Sequence, residues 1–271
     1  MNYRHGFHAG NFADLLKHAV LLELLRAGIA AADRASITVV DTHAGAGLHD
    51  LEGPLARRTG EGAAVAVLMT DRSAPRTFAP LIGAIRRANP SGGQRFYPGS
   101  PVLITGASRP GDRLIAIEAR EDDARDLARA IGTERVRRGD GWTLGPRAMP
   151  PPPAAVLVLV DPPWEAAGEA ERAAAFLAAA LRRHGSAVVA LWAPIKDLAS
   201  LEALRERLAC AAPRVFIEAR LRRLGDPLRL NGCALVVVNP PAGLAEAGRA
   251  AADWVVARLG EAGGEARVEA G

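Results

Sequence analysis

Apolar runs of strand length alternate with longer segments whose apolar residues recur at helical spacing, and this alternation governs the chain from residue 37 onward. Segments 37–41, 113–118, 155–161, 186–192, 215–221 and 233–239 read as strands, with a shorter one at 135–137. Between them, 121–130, 169–183, 197–208 and 244–259 carry helical patterns. Strands interleaved with helices predict a mostly parallel sheet covered on both faces. Only the polar turn 225–231 separates the last two strands, so these should form an antiparallel hairpin. The count is seven strands. An amphipathic helix is expected over 13–29, with Asn11 as its cap. Segment 48–101 breaks the rhythm: it has two helical stretches, 62–69 and 78–88, and no convincing strand. A parallel crossover needs only a dozen or more residues. The longer gap therefore reads as a small inserted helical subdomain, with 1–47 and 102–271 forming the main α/β domain. The Gly- and Glu-rich tail, 260–271, is expected to fray.

Composition narrows the class without deciding function. The chain has 271 residues, 49% of them hydrophobic, and can bury a sizeable core. Its formal net charge is +4, carried by arginine, since Lys17 and Lys196 are the only lysines. Segment 48–101 holds seven arginines against four acidic residues, a balance of +3, which permits an RNA-facing surface but more commonly describes a solvated one. Cys210 and Cys233 have no metal-ligand spacing and read as reduced structural thiols. With no signal-peptide pattern and no apolar stretch of membrane-spanning length, a soluble cytoplasmic protein is expected.

The most informative residues are Asp161-Pro162-Pro163-Trp164, which close the apolar run 156–160. Ligands of open α/β sheets bind outside the carboxyl ends of the strands, where these residues must lie. An exocyclic amine on a purine is a poor nucleophile because its lone pair is delocalised into the ring. The Asp161 carboxylate and the Pro162 carbonyl could accept its two N–H bonds and draw the nitrogen towards tetrahedral geometry. Trp164 offers a face on which an extruded base can stack, worth roughly 1–3 kcal/mol. The alternative is a stiff strand exit with Trp164 in the core. A second strand ends in Asn239-Pro240-Pro241-Ala242, but alanine cannot stack a base, and that copy reads as a strand exit.

Three further strand ends fit a nucleoside-type cofactor. Asp41-Thr42-His43-Ala44-Gly45-Ala46-Gly47 follows the first strand, with Gly45 and Gly47 allowing close backbone approach and His43 facing the crevice. Glu118 closes the second strand, where an acid can hold ribose hydroxyls, and Asp140-Gly141 follows the third, where an acid can take an adenine amine. Taken in order with Asp161, this is what an S-adenosylmethionine enzyme requires. By analogy the fold is the Rossmann-like class I methyltransferase arrangement, its seven-stranded sheet ending in the antiparallel hairpin. Five of the six histidines lie within residues 1–49, beside Tyr3, Asp14 and Lys17. No ligand spacing supports a metal there. The better reading is a segment folded over cofactor and substrate, with Lys17 and His18 near the cofactor's methionine carboxylate and Tyr3 at the methyl-transfer site.

The motifs at 3–11, 16–18, 41–47 and 97–101, with the strand-end Asp-Pro-Pro, resemble the bacterial 23S rRNA adenine-N6 methyltransferases of the RlmJ family over essentially the whole chain. The resemblance implies a monomer using S-adenosyl-L-methionine and releasing S-adenosyl-L-homocysteine. Its acceptor would be one adenine of 23S rRNA (adenine 2030 in the reference rRNA numbering), in protein-free rRNA or an early assembly intermediate. Carried over by position, His18, His43, Ser100, Glu118, Asp140 and Gly141 would bind the cofactor, with Asp161 as the catalytic acceptor. Trp164 stands where the family usually has tyrosine, so stacking survives the change and a phenolic hydroxyl does not. A DNA adenine methyltransferase, a protein or small-molecule methyltransferase and a non-catalytic RNA-binding protein on the same fold remain as alternatives. The absence of an evident target-recognition domain speaks against the first.

Overall fold

In the computed structural model, residues 9–31, 36–53, 62–209, 212–225 and 229–271 are described; Tyr3 and Cys210 lie outside them. The sheet is built from β1 (Ile37–Asp41), β4 (Arg113–Glu118), β5 (Val136–Arg138), β6 (Ala155–Val160), β7 (Val188–Ile195), β8 (Arg214–Arg220), β9 (Gly232–Val238) and β10 (Glu265–Ala270). Its order is β10-β8-β9-β7-β6-β1-β4-β5. The pairs from β5 to β7 are parallel, whereas β9 runs antiparallel to both β7 and β8. A second, two-stranded sheet pairs β2 (Leu48–Asp50) with β3 (Phe96–Pro98).

Strand alternation splits the core in two. Ile37, Val39, Leu157 and Leu159 point into one cluster, and Val40, Val156, Val158 and Val160 into the other. The first is covered by α1 (Phe12–Ala31), α4 (Ser100–Ala107), α5 (Glu121–Ile131) and α9 (Leu244–Leu259). The second is covered by α6 (Gly141–Ala148), α7 (Glu169–Arg183) and α8 (Leu198–Arg207). Central strands buried on both faces explain the unbroken apolar runs in the sequence.

Four expectations need correcting. Helix α1 is buried around its whole first half, including Lys17 and His18, and is not amphipathic. The reason is that α2 (Ala63–Thr70) and α3 (Ala79–Ala88) pack on its outer face, and Val65, Leu68, Leu81 and Ile85 join its cluster. Segment 48–101 is not purely helical, because β2 and β3 are short strands whose three residues each give no readable period. Helices α4 and α6 escaped notice, although α4 carries Pro101 in its first turn and α6 is capped by Asp140, both start signals. The tail does not fray: β10 adds an eighth strand beside β8, in register from Glu265↔Arg220 to Ala270↔Val215. Its charged residues alternate, as suits a strand at an open edge.

The topology decides between the two Pro-Pro motifs. Because β9 is antiparallel, Asn239 lies at the opposite edge of the sheet from Asp161. Its amide donates to the Gly185 and Ala187 carbonyls, 3.0 and 2.9 Å away, in a structural role.

Candidate active site

The carboxyl ends of β1, β4, β5 and β6 surround one cleft bordered by His43, Gly45, Ser100, Glu118, Asp140, Gly141, Trp142 and Asp161. Its free volume is about 170 Å³, with the long Arg120 and Arg172 side chains among its walls. The glycine turn holds its shape through two contacts. Gly45 N–H donates to Glu118 Oε2 at 2.9 Å, and Gly99 N–H donates to the Gly47 carbonyl at 2.7 Å. Gly47 has φ +85°, which a side chain would strain, and a Cβ there would crowd Leu127 and Ala130. Gly141 is required for a different reason: a Cβ would fall 1.8 Å from the Thr42 carbonyl oxygen, where the tips of β1 and α6 touch.

Glu118 accepts from Arg120 N–H at 2.7 Å as well as from Gly45, so two lone-pair positions remain for a ligand's hydroxyls. Burial raises its pKa, while the backbone N–H groups of Arg120, Gly45 and Ala119 oppose the rise. Asp140 caps α6 through the Thr143 N–H and hydroxyl, at 3.1 and 2.6 Å, and lies 3.8 Å from the Arg172 guanidinium. Arg172 in turn lies over the Trp142 ring, 5.6 Å from its centroid, and Trp142 meets His43 edge-on at 5.1 Å. Thr42 gives its single hydroxyl proton to the Leu159 carbonyl, so His43 Nδ1–H must donate to the Thr42 oxygen, 2.8 Å away. That leaves His43 Nε2 as an acceptor. Burial lowers the pKa of His43 to about 4, so the ring is neutral near pH 7.

Beneath the cleft lies a cluster of charges. Lys17 Nζ donates to Asp14 at 2.6 Å and to Asp161 at 2.5 Å, and its side chain is only 3% exposed. Burial works against its charge, but Asp14 and Asp161 more than compensate and hold its pKa above the usual lysine value. Asp14 also accepts the Gly10 N–H at 2.9 Å, and Asn11 Oδ1 accepts the Asp14 N–H at 3.0 Å, which confirms Asn11 as the cap of α1. His18 Nδ1 shares a 2.7 Å hydrogen bond with the fully buried Tyr97 hydroxyl. Lys17 and His18, expected against the cofactor's carboxylate, are thus engaged within the protein, and neither borders the cleft.

Asp41 closes β1 without any exposure, and neither of its carboxylate oxygens makes a hydrogen bond of normal geometry. Burial pushes its pKa up to about 7. The Ser100 hydroxyl resists this, the Asp161 charge adds to it, and Lys17 opposes it.

On the far side of Asp161, Pro163, Glu165 and Glu169 border the cleft. Trp164 does not: it packs against the second core cluster, and its indole N–H donates to the Trp192 carbonyl at 3.0 Å. Its φ of +54° is unusual for a bulky residue and marks strain at the strand exit. The sequence reading missed Trp142, Arg172, Glu169 and the Tyr97–His18 pair. Trp142 alone had a signal, as the aromatic residue following Asp140-Gly141 at a strand end.

The lining favours a cationic ligand. Six acidic residues (Glu118, Asp123, Asp140, Asp161, Glu165, Glu169) face two arginines (Arg120, Arg172), a formal balance of −4. Such a cleft repels the phosphates of a dinucleotide and suits a nucleoside carrying sulfonium and ammonium charges.

Comparison with known proteins agrees with this chemistry. Residues 34–270 match the family described as ribosomal RNA large subunit methyltransferase D, RlmJ. The ribosomal RNA large subunit methyltransferase J of Escherichia coli is 30% identical over 97% of this chain and 95% of its own length. The Haemophilus influenzae protein of the same name is 27% identical over 89% and 88%. A solved Legionella pneumophila structure superposes with a TM-score of 0.88 at 25% identity, covering 97% of this chain and 98% of that one. With its Rossmann-like sheet and these near-complete matches, the chain belongs to the RlmJ family of ribosomal RNA large subunit methyltransferases.

Proposed function

We propose that the protein methylates N6 of a single adenine in 23S rRNA, using S-adenosylmethionine. The observation that carries this reading is Asp161: a carboxylate at the carboxyl end of β6, bordering the cleft and ion-paired with Lys17. When bound, the cofactor supplies a methyl group on a sulfonium, already a strong electrophile. Positioning of the amine therefore matters more than acid–base power.

The residues divide the work by location. Glu118 accepts from ribose hydroxyls, Asp140 and the Gly141 backbone meet the cofactor's adenine, and His43, Gly45, Gly47 and Ser100 shape the methionine end. Asp161 and the Pro162 carbonyl accept the two N–H bonds of the target amine and fix its lone pair in line. Lys17 keeps Asp161 oriented without removing its capacity to accept, since the ammonium engages Oδ2. Trp164, packed in the second core cluster and held by its bond to the Trp192 carbonyl, stiffens the exit of β6 that presents Asp161. Tyr3, outside the described residues, is assigned to the transfer site from its place in the polar and aromatic N-terminal segment. The protein acts as a cytoplasmic monomer on protein-free rRNA or an early assembly intermediate.

The test incubates the protein and labelled cofactor with protein-free 23S rRNA, intact large subunits and duplex DNA, and locates the product by mass spectrometry. N6-methyladenosine at one rRNA position, strongest in protein-free RNA, is expected. Methylation of another atom, or of DNA in preference, would overturn the assignment.

A further inference from the structure

A second cavity opens on the same edge of the sheet. Between the start of α1 and the connection 221–231 lies a groove of about 390 Å³. Phe12, Leu221 and Leu230 form part of its apolar wall, and Arg222 and Arg229 contribute charge. It has room for a nucleotide-sized group. The strand order β6-β7-β9-β8 sets it three strands from Asp161, roughly 14 Å at about 4.8 Å per step. That distance corresponds to a few nucleotides of extended chain.

The charges along this path have one sign in excess. Arg222 and Arg229 share a single carboxylate, Glu261, at 2.8 and 3.5 Å. Two guanidinium groups on one acid leave a positive surplus, and Arg223 beside them is exposed. Lys196, also exposed, follows β7 between the groove and the cleft, close enough to Glu169 to oppose the rise in that acid's pKa. Asn231 holds the arrangement together. Its N–H donates to the Ile195 carbonyl at 2.9 Å and its amide to the Lys196 carbonyl at 2.6 Å, while Leu221 N–H donates to the Asn231 carbonyl at 2.8 Å. Leu221 and Asn231 are thus fixed to the backbone that presents Lys196, and pre-organised positions lose little entropy on binding.

We propose that this groove, together with Lys196, carries the sugar–phosphate backbone of the RNA strand flanking the nucleotide held at Asp161. The strand passes Lys196 and runs along the basic side of the groove at Arg222 and Arg229, with a flanking base against Phe12 and Leu230. The inference rests on the acceptor being RNA.

The experiment measures binding of a fluorescent single-stranded ribo-oligonucleotide by anisotropy across a salt series. It compares wild type, Lys196→Gln, Arg229→Gln, the double variant, and Arg86→Gln/Arg87→Gln on α3 as a control. Lys196 and Arg229 are exposed, so melting temperatures should match wild type and folding is not at issue. Each groove substitution is expected to reduce the slope of log K against log salt by about 0.7, with the control unchanged. An undiminished slope in the double variant, or a loss confined to the α3 control, overturns the proposal. Groove-dependent RNA binding without methyl transfer to 23S rRNA would uphold it and remove the assigned reaction instead. Methyl transfer with unaltered slopes would do the reverse.

Discussion

Lys17 is a buried ammonium with a carboxylate on either side, Asp14 at 2.6 Å and Asp161 at 2.5 Å. Removing one partner of a buried ion pair leaves an uncompensated charge and typically costs about 3–5 kcal/mol. Lys17→Met should therefore lower the denaturation midpoint as well as activity. Asp161→Ala should abolish methylation while calorimetric affinity for the cofactor stays within about threefold, because the role proposed for Asp161 is toward the acceptor; near-normal turnover would refute that role. Two residues set opposing pH dependences. The pKa of Asp41 is raised from 3.8 to about 7 on folding, so the native state holds the extra proton and stability falls as pH rises through that window. The pKa of His43 is lowered from 6.5 to about 4, so the unfolded state binds the extra proton and stability rises with pH between those values. In wild type the two largely cancel below pH 6.5. Asp41→Asn should expose the His43 dependence, with stability increasing from pH 4 to 6.5 in urea titrations of the ligand-free protein. A flat profile in that variant would contradict the assignment.

At the scale of elements, β10 protects the open edge of β8, and Glu269 on it ties to Arg205 at 2.6 Å. Arg205 also bonds the fully buried Glu218, so the strand closes an ion network as well as a ladder. Truncation after Gly264 should expose a bare edge and promote association, measurable as lowered melting temperature and increased light scattering. This strand was passed over because its alternation is short and lies in a Gly- and Glu-rich tail; Ala266 and Val268 pack on the first core cluster while Glu265, Arg267 and Glu269 face outward, and pairing with β8 completes its stability. The central strands were legible because they are buried on both sides, and β1 and β4 match their expected bounds to the residue. Helix α1 was read with the wrong surroundings for a related reason: the helices that cover its outer face lie some forty to seventy residues later in the chain. Glu118, Asp140 and Asp161 were legible because each lies at a strand end, whereas Asp123 and Glu169 sit on helices and Glu165 in a loop. Trp142 and Arg172 were not legible, since their pairing depends on α7 packing beside α6.

Across the whole molecule, one edge of the sheet divides into an acidic cleft and a basic rim. The acidic part predicts ligand choice: calorimetry should find S-adenosylmethionine and S-adenosylhomocysteine as ligands, with NAD and ATP excluded, and added salt should weaken the sulfonium form more than the neutral thioether. Equal salt sensitivity would argue against an electrostatic origin. The ion pair from Lys17 to Asp161 also joins positions 144 residues apart, near the start of the chain and past its middle. During synthesis the ammonium emerges with only Asp14 for company, and its second counter-charge follows many seconds later, at about 5–20 residues per second. A nascent chain that ends between the glycine turn and β6 holds Lys17 with Asp14 but lacks Asp161, so the buried ammonium has a partner on one side only.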